Sequence, residues 1–502
     1  MSTLSELLPA GSGGKQVDFI AHGAINNAQA VGLKSDGKVE PIAATTDPVQ
    51  NPTTSWATDE QFYVASPTKI GNQVLVFYSD AQNGNYGTVV IGTISGSQIN
   101  WDVQSTPVVF ETASILNNTN YKMDSVLHES LNLAVCLYII QSSNAAMMKC
   151  FSVSGNTITV GSPHTFNAGG VQEVSMCYGE ISGNSRIWIN YIDRLGGVDY
   201  GVADCVTVNN INSISNGSAS SYKTSTTSQP SIAFNDLQNI PILSYRDLSQ
   251  GSSPNGAARC ITNGISVPLQ YGNQNLVVNG NTTQMKIMYD PNFQQTLIIY
   301  ANNTSGNAAI NKVTYVNTNS LTIGTEAVFG NAGNVSHMGF NFNASKTIGT
   351  GQGMIAFNDA TGGNKGKFVL YSDGGSFVPT LGTVTEFVNT ISTFNEVTWG
   401  GDNNYFITNV TAPSGGSWTG DSIGFNFTNS SSFIGIADAA ISDTATGSVT
   451  IKGGIATNAS LPTLTPNTVY YVQSDGTINT TSTGTRIGKA LSSTSINLEF
   501  NS

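Results

Sequence analysis

The segment Pro241–Asp247 reads PILSYRD, in which an apolar run is followed by an aromatic residue and then by an acidic residue. Closely similar segments recur at Val74–Asp80, Ala134–Ile140, Ile187–Asp193, Thr296–Asn302 and Gly353–Asp359, and a weaker copy without the aromatic lies at Asn404–Val410. The aromatic residues are Tyr78, Tyr138, Tyr191, Tyr245, Tyr300 and Phe357, so successive copies are 60, 53, 54, 55 and 57 residues apart. A repeat of this length with several strands per copy predicts a β-propeller.

The flanks of each copy supply the other strands. A strand-like run follows the apolar segment, as at Tyr200–Val208, and another precedes it, as at Val171–Gly179. Polar turns such as Gly155-Asn156 suit tight hairpins. The repeated segments themselves are continuously apolar, as expected of strands buried on both faces. We therefore predict about seven four-stranded blades, and the pattern is also compatible with six or eight.

Composition narrows the class of protein. Only 10% of the 502 residues are charged, Gly is frequent at 53 residues, and aromatic residues reach 9%, which favours an all-β protein with many turns. The net charge of −12 and the absence of a basic patch argue against nucleic-acid binding. No signal peptide and no membrane-spanning apolar run is present in the sequence. We expect a soluble protein made in a reducing compartment, with its five cysteines as buried thiols.

The two ends of the chain differ from the repeats. Residues 1–14 form a short arm in which Leu4, Leu7 and Leu8 are spaced to share one helical face, and this arm is either a docking peptide or a frayed terminus. Residues 15–44 and 420–502 each contain short strands and a Ser-Asp-Gly turn, at Ser35–Gly37 and Ser474–Gly476. Neither piece has enough strands for a closed sheet. We predict that they form one discontinuous small β-barrel, into which the propeller, residues 45–415, is inserted.

The two terminal pieces contain four motifs that occur in this order along the chain: His22–Val39, Phe433–Ile455, Leu464–Ile478 and Ile487–Ile496. Together with the opening SELLPAGSGGK, they resemble the terminal arm and small β-domain of structural and tail-fibre-type virion proteins of marine tailed phages, cyanophages among them. The resemblance does not extend to the propeller. It implies a virion component that assembles in the host cytoplasm, docks to other virion proteins through its termini, and occurs as a homo-oligomer on the particle.

Acidic or amide residues follow the apolar segments, which raises the question of a glycosidase. These residues are Asp80, Asp193, Asp247, Asn302 and Asp359. A sialidase would need three converging arginines, whereas the propeller arginines all fall in two adjacent repeats, at Arg186, Arg194, Arg246 and Arg259. We interpret the acids as turn caps and predict no catalytic residue.

Candidates for other sites are sparse. The histidines His22, His128, His164 and His337 lack the spacing of metal ligands, and we predict no metal and no cofactor, with calcium at the turn carboxylates as the alternative. The sequence does not specify ligand-binding residues, although rim loops carrying Trp101, Tyr222 or Trp418 are candidates.

The combined hypothesis is a non-enzymatic phage virion protein. Its termini attach it to the particle, and its propeller is presented to a host-surface glycan or protein as in a tail-fibre or tail-tip adhesin. We do not expect membrane insertion. Two alternatives remain open: a head or collar decoration protein without receptor binding, and a propeller glycan hydrolase.

Overall fold

In the computed structural model, the regular secondary structure of the described residues is almost entirely β-strand. It describes residues 15–34, 37–42, 44–57, 62–96, 98–101, 107–116, 122–250, 254–262, 268–291, 294–317, 319–331, 333, 335–342, 352–360, 363–373, 378–401, 404–412, 418–428, 432–473, 476–482 and 485–499. Its described helices are two single 3-10 turns, Glu129–Leu131 and Leu248–Gln250, and neither has the length or apolarity to cross a membrane. The predicted all-β class is confirmed.

The chain divides into two compact units, one made of residues 1–51 with 425–502 and the other of residues 52–424. The N-terminal part of the first unit contributes β1 (Gln16–Ile20), β2 (Ala30–Leu33), β3 (Val39–Pro41) and β4 (Ala44–Gln50). The second unit begins with β5 (Thr54–Ala57) and is a β-propeller.

Blades of the propeller follow one another along the chain. Blades 1 to 3 comprise β6 (Phe62–Ile70), β7 (Gln73–Asp80), β8 (Tyr86–Ser95), β9 (Gln98–Asn100), β10 (Val108–Glu111), β11 (Met123–His128), β12 (Leu133–Ile139), β13 (Ala146–Ser154), β14 (Thr157–Val160), β15 (His164–Asn167), β16 (Val171–Ile181), β17 (Asn184–Leu195), β18 (Val198–Asn210), β19 (Ser213–Ser215) and β20 (Ser220–Lys223). Blades 4 to 7 comprise β21 (Thr227–Asn235), β22 (Ile240–Asp247), β23 (Asn255–Cys260), β24 (Asn275–Val278), β25 (Thr282–Asp290), β26 (Gln295–Asn302), β27 (Asn307–Asn317), β28 (Ser320–Ile323), β29 (Ala327–Asn331), β30 (Val335–Phe342), β31 (Gln352–Asp359), β32 (Lys365–Asp373), β33 (Pro379–Leu381), β34 (Thr385–Gly401), β35 (Asn404–Ala412) and β36 (Thr419–Thr428).

The first strands of the blades form a closed ring. They are β6, β11, β16, β21, β25, β30 and the C-terminal half of β34, and each lies beside the next until β34 lies beside β6. The N-terminal half of β34 pairs with β32 as the outer strand of blade 6, while its C-terminal half pairs with β35. The ring therefore has seven members, in agreement with the predicted count of about seven.

The repeated apolar segments are the second strands of the blades. Tyr78, Tyr138, Tyr245 and Tyr300 on these strands are at most 1% exposed, because neighbouring blades cover both faces of each sheet. This burial confirms that the repeated aromatics belong to the core.

Each outer strand carries a bulky residue that packs over a small residue of the third strand, and this pair recurs in every blade. The bulky residues are Trp56, Phe110, Phe166, Tyr222, Val277, Phe329 and Phe387, and the small residues facing this row on the third strands are Gly420, Gly87, Ala146, Gly201, Gly256, Ala308 and Gly366. The ladder between third and outer strand shifts register at this level in every blade. A Cβ on Gly201 would lie 2.4 Å from the ring of Tyr222, so a larger side chain does not fit.

Strands from both ends of the propeller unit complete its last blade. β5, from the start of the unit, pairs antiparallel with β36, from its end. β36 carries the propeller to residue 424, past residue 415 of the sequence prediction, because the seventh sheet needs this strand to receive β5.

The first unit is completed by strands from the C-terminal end of the chain: β37 (Phe433–Ala437), β38 (Thr446–Ile451), β39 (Ile455–Thr457), β40 (Val469–Val472), β41 (Ile478–Asn479), β42 (Thr485–Ser492) and β43 (Ser495–Leu498). One sheet has the order β1-β38-β37-β2-β3, and a parallel bridge from Ala21 to Val39 joins its two edges into a small barrel. The other sheet has the order β39-β43-β42-β40-β41. A core that includes Ala30, Ile436 and Ile487 joins the two sheets.

The two predicted Ser-Asp-Gly hairpins have matching hydrogen bonds. Gly37 N donates to Lys34 O at 3.0 Å, and Gly476 N donates to Gln473 O at 3.0 Å. Both glycines have positive φ, of 82° and 84°, which favours glycine at this turn position.

Candidate functional site: the axial channel and its acidic mouth

The seven first strands surround an axial cavity of about 470 Å³ that is lined by residues of every blade. In blades 1 to 6, its central residues lie opposite the residue that precedes the repeated aromatic, as Asp124 lies opposite Leu137. In blade 7, which lacks that aromatic, Glu396 lies opposite Thr408 at the equivalent position. We name this set the polar layer, and its members are Ser66, Asp124, Ser175, Ser231, Lys286, Gly339 and Glu396. The channel therefore holds two carboxyl groups and one ammonium group at one level.

Lys286 and Glu396 form an ion pair, although they belong to blades 5 and 7. Gly339 of the intervening blade makes this contact possible, since a Cβ on Gly339 would lie 2.7 Å from Glu396 Oε2. Both charged side chains are about three-quarters buried, at 23% and 24% exposure. Burial raises the pKa of Glu396, and the adjacent Lys286 opposes that rise.

Asp124 is the second carboxyl group of the polar layer. One of its oxygens accepts the N–H of Met176 in the next blade at 2.8 Å, and the other accepts the N–H of Ser125 at 2.8 Å. Burial raises the pKa of Asp124 to about 6, and the two backbone donors and Lys286 reduce that rise. Both carboxylate oxygens are thus already engaged by backbone donors.

Other polar side chains of the channel also connect neighbouring blades. Ser66 Oγ lies 2.8 Å from Ser125 Oγ, and Ser231 Oγ accepts the N–H of Ile287 at 3.0 Å. Asn341, two residues beyond the polar layer, donates to Val397 O at 3.0 Å. These contacts satisfy buried donors and acceptors along the ring, which gives the polar layer a structural role.

In blades 4 to 7, a β-bulge in the first strand comes just before the polar-layer residue. The residues Gln229, Gln284, His337 and Phe394 all have positive φ, between 47° and 56°, and lie where the first strand shifts register against the second. A β-bulge bends its strand and redirects the side chains that follow. Ser231, Lys286, Gly339 and Glu396 come directly after these bulges.

One end of the channel opens into a second cavity of about 490 Å³, which we name the mouth. Its walls include Tyr178, Phe234, Tyr289 and Phe342, each three residues beyond the polar layer of its blade. Trp399 occupies the equivalent position in blade 7, and we name the five residues the aromatic collar. Their spacings of 56, 55, 53 and 57 residues match the propeller repeat, a signal that the sequence analysis did not use.

Acidic residues line one side of the mouth, two positions beyond the collar level. Glu129, Glu180 and Asp236 occupy equivalent places in blades 2, 3 and 4, and the lining of the mouth includes no Lys or Arg among the described residues. Burial raises the pKa of Asp236, and the negative charge of Glu129 raises it further. Lys69, at the collar position of blade 1, lies over the Trp399 ring at 5.3 Å from its centroid.

Local contacts hold the collar in place. The hydroxyl of Tyr178 donates to Ser185 Oγ at 3.1 Å, and its ring lies 5.0 Å from the ring of His128. Gly179 leaves room for Phe234, because a Cβ at that position would lie 2.2 Å from the phenyl ring. Tyr178 and Phe234 are therefore held in place by packing, and Phe234 is buried at 5% exposure.

Several of the acidic and amide residues that follow the second strands cap backbone N–H groups of the next turn, as predicted. Asp80 Oδ1 accepts the N–H groups of Gln82 and Asn83 at 3.1 and 3.2 Å. Asp247 Oδ1 accepts the N–H of Ser249 at 3.0 Å, and Asn302 Oδ1 accepts that of Thr304 at 3.0 Å. Capping of the turns after the second strands is thus confirmed for these residues.

The rim aromatics of the sequence analysis have structural contacts. Tyr222 is only 4% exposed in the outer strand of blade 3, so its selection as a rim residue was wrong. Trp101 donates from Nε1 to Ser422 Oγ at 2.6 Å, and Trp418 packs, partly buried, on the same core. The proposed docking residues Leu4, Leu7 and Leu8 lie outside the described residues.

The propeller arginines have separate local partners. Arg194 forms a bidentate pair with Asp199 at 2.7 and 3.0 Å, Arg246 donates to Asn281 at 2.9 Å, and Arg259 donates to Tyr222 O at 2.9 Å. His128, His164 and His337 lie on different strands, β11, β15 and β30. Within the described ranges, no three His, Cys, Asp or Glu side chains are grouped to hold a metal ion.

The five cysteines are free thiols, and all except the partly buried Cys177 are buried. Burial raises the pKa of each thiol, so the reactive thiolate is disfavoured. Their interpretation as small core residues is confirmed for the four buried positions.

Neither a protein-family model nor a curated protein sequence matches the chain. Among solved structures, it is similar to a triple mutant of AofleA from Arthrobotrys oligospora, at 8% identity and a TM-score of 0.43 over 74% of this chain and 96% of that one. It is also similar to a Dyadobacter fermentans protein of unknown function, at 9% identity and a TM-score of 0.42 over 76% and 98%. A third is the six-bladed Aleuria aurantia lectin, at 9% identity and a TM-score of 0.39 over 65% and 96%. These similarities concern the fold alone.

Proposed function

We propose that this protein is a structural component of a tailed-phage particle, a tail-fibre or tail-tip adhesin. The terminal unit attaches the protein to other virion proteins, and the propeller contacts a glycan or protein on the host surface. Its place is the virion, where copies attached through the same unit form a symmetric homo-oligomer.

One observation carries the proposal. The motifs by which the termini resemble phage virion proteins come from opposite ends of the sequence, yet they contribute to one compact unit. Ala30 of the first motif, Ile436 of the second, Val472 of the third and Ile487 of the fourth belong to the same core. The propeller is a separate unit. In this proposal, the terminal unit serves attachment and the propeller serves recognition.

The carboxyl groups of the polar layer are engaged in structural contacts and are not directed at a substrate. Both oxygens of Asp124 accept backbone N–H groups, and Glu396 is paired with Lys286. A general acid or base needs an oxygen directed at the substrate. The described arginines are each held by a local partner, without the convergence that a sialidase requires.

Localisation on intact particles tests the proposal. Gold-labelled antibodies against the purified protein should label the tail tip or the fibres of the particles that carry its gene, and soluble protein should compete with infection. Label spread over the head or collar, without competition, would make the protein a decoration. Absence of label from purified particles would contradict the virion role altogether.

A further inference from the structure

We propose that the mouth of the channel binds a neutral or amino-bearing pyranose at the end of a host glycan, and disfavours sialylated and uronic-acid sugars. This inference rests on the proposed function, since it names the ligand class and the site of the adhesin. It depends on the shape of the cavity, on the collar and on three exposed carboxylates without an ion pair.

The cavity has the dimensions of a small-ligand site. Its volume of about 490 Å³ lies within the ~300–1,000 Å³ range of such pockets. It is continuous with the channel, because Val126, Ile232 and Met288 line both cavities. The end of a glycan chain fits such an axial opening, whereas a flat interface with a folded protein would leave it unfilled.

The collar supplies an apolar contact surface. Tyr178, Phe234, Tyr289 and Phe342 line the mouth from four successive blades. Tyr178 and Phe342 are partly exposed and offer their rings to a ligand, whereas Phe234 and Tyr289 are only 5% and 7% exposed and support the wall from behind. The C–H groups of a pyranose form an apolar patch that gains free energy when it is removed from water against aromatic rings. Tyr178 is held in place by packing, so little ordering free energy is needed on binding.

The carboxylates supply hydrogen-bond acceptors. Glu129, Glu180 and Asp236 are exposed at the mouth, and none of them forms an ion pair within the described part of the chain. Glu180 Oε2 accepts one long hydrogen bond, from Ser185 Oγ at 3.5 Å. Ionised carboxylates accept strong hydrogen bonds from hydroxyl and ammonium groups.

The sign of the local charge selects among sugars. Three carboxylates line the mouth, its described lining has no Lys or Arg, and the whole chain carries −12. A sugar carboxylate would be repelled in this field, whereas an amino group would be attracted. Neutral sugars retain the aromatic contact and the hydroxyl hydrogen bonds.

A glycan array probed with the full-length protein tests the inference. The probes are glucosamine oligomers, mannose- and galactose-terminated oligosaccharides, and sialylated and uronic-acid-terminated oligosaccharides. We expect binding to the first two classes only. Added salt should weaken binding of the glucosamine oligomers and leave that of the neutral sugars unchanged, because salt screens charge pairs.

The double variant Glu180→Gln with Asp236→Asn removes two acceptor charges, and we expect it to weaken binding by about 10- to 100-fold. Tyr178→Ala should weaken binding of neutral and amino sugars alike. Glu386→Gln removes a partly exposed carboxylate on β34 and should bind as the parent protein does. Thermal unfolding of each variant verifies that the fold is retained.

The outcomes separate this inference from the proposed function. Unchanged glycan binding in the double variant and in Tyr178→Ala, or preference for the acidic sugars, would overturn the mouth as the site. If soluble protein still competes with infection in that case, the adhesin role stands and only the site is wrong. If the protein binds no glycan on the array, the inference fails, and infection competition then decides the adhesin role by itself.

Discussion

Trp56 packs against Gly420, although the two residues lie at opposite ends of the propeller sequence. The indole Nε1 donates to Asp421 O at 3.1 Å, and a Cβ on Gly420 would lie 2.4 Å from the indole ring. This contact joins the first strand of the propeller unit to its last and completes the seventh blade.

Replacement of Gly420 should destabilise the closed ring. Gly420→Ala places a Cβ in the space of the indole, and overpacking of this kind costs about 1–3 kcal/mol. We expect a lower free energy of unfolding in urea, measured by circular dichroism.

Gly382→Ala is the matched control for that measurement. A Cβ on Gly382 would lie 3.7 Å from Leu370, an ordinary contact distance, and its φ is not in the positive region. Equal effects of the two substitutions would show that the closing contact has no special weight.

Fragments that differ only in the last propeller strand should differ in folding. The fragment 52–424 contains β5 and the propeller part of β36, and we expect a folded all-β monomer with one cooperative transition. The fragment 52–415 lacks β36, which leaves β5 without its partner and β35 with an open edge. It should aggregate or unfold at lower temperature, as measured by circular dichroism and size-exclusion chromatography. Equal stability of the two fragments would contradict this account of closure.

Ionisation of Asp124 should make stability decrease as the pH rises from about 4 to about 6. Its pKa is raised from 3.8 to about 6 on folding, so the folded chain holds a proton that the unfolded chain releases in this window. The unfavourable contribution is complete above pH 6 and amounts to roughly 2–3 kcal/mol. Asp124→Asn should therefore flatten the dependence of the unfolding free energy on pH.

Urea unfolding of the parent protein and of Asp124→Asn near pH 4.5 and near pH 7.5 measures this difference. The variant retains an amide oxygen to accept one backbone N–H, which limits other losses. Burial also raises the pKa of Asp204 to about 6, so ionisation of Asp204 lowers stability over the same pH range. The unfolding free energy of Asp124→Asn should therefore still decrease somewhat as the pH rises. Parallel pH profiles for parent and variant would contradict the prediction.

Asp247 should change the pH dependence of the unfolding free energy in the opposite direction from Asp124. Despite the opposing effect of burial, hydrogen bonds from Lys223, Ser249 and Gln274 hold its pKa at about 2, below the ordinary 3.8. Its stabilising contribution is present above about pH 4 and is lost as the pH falls towards 2. Asp247→Ala leaves Lys223 unpaired at a mostly buried site, which costs about 3–5 kcal/mol at neutral pH.

Asp18→Ala provides a comparison for Asp247, because Asp18 is an exposed residue of β1. Thermal midpoints at pH 7 should fall for Asp247→Ala and stay near the parent value for Asp18→Ala. A loss no larger than that of Asp18→Ala would indicate that the buried ion pair contributes little.

The repeat of apolar segments was sufficient to predict the propeller and about seven blades. Each second strand is buried on both faces, so its residues are apolar without alternation, and the repeated segment is visible in the chain. The turn caps at Asp80 and Asp247 were likewise predictable, because an Asp side chain caps the backbone a few residues away in sequence.

The polar layer and the mouth depend on contacts between residues that are far apart in sequence. Asp124, Lys286 and Glu396 share no local motif, and they meet only because the ring closes and Gly339 leaves room for the ion pair. The position of Tyr222 was misjudged for the same reason, since its burial depends on Gly201 in another strand.

The sequence by itself determined the class of fold, the repeat and the local turns, because these follow from the periodicity of residues that are neighbours along the chain. Tertiary structure alone decided which strands close the seventh blade and which charges meet in the channel. Strand pairing and side-chain packing between distant segments are set by the geometry of the closed ring, and no short stretch of sequence contains that geometry.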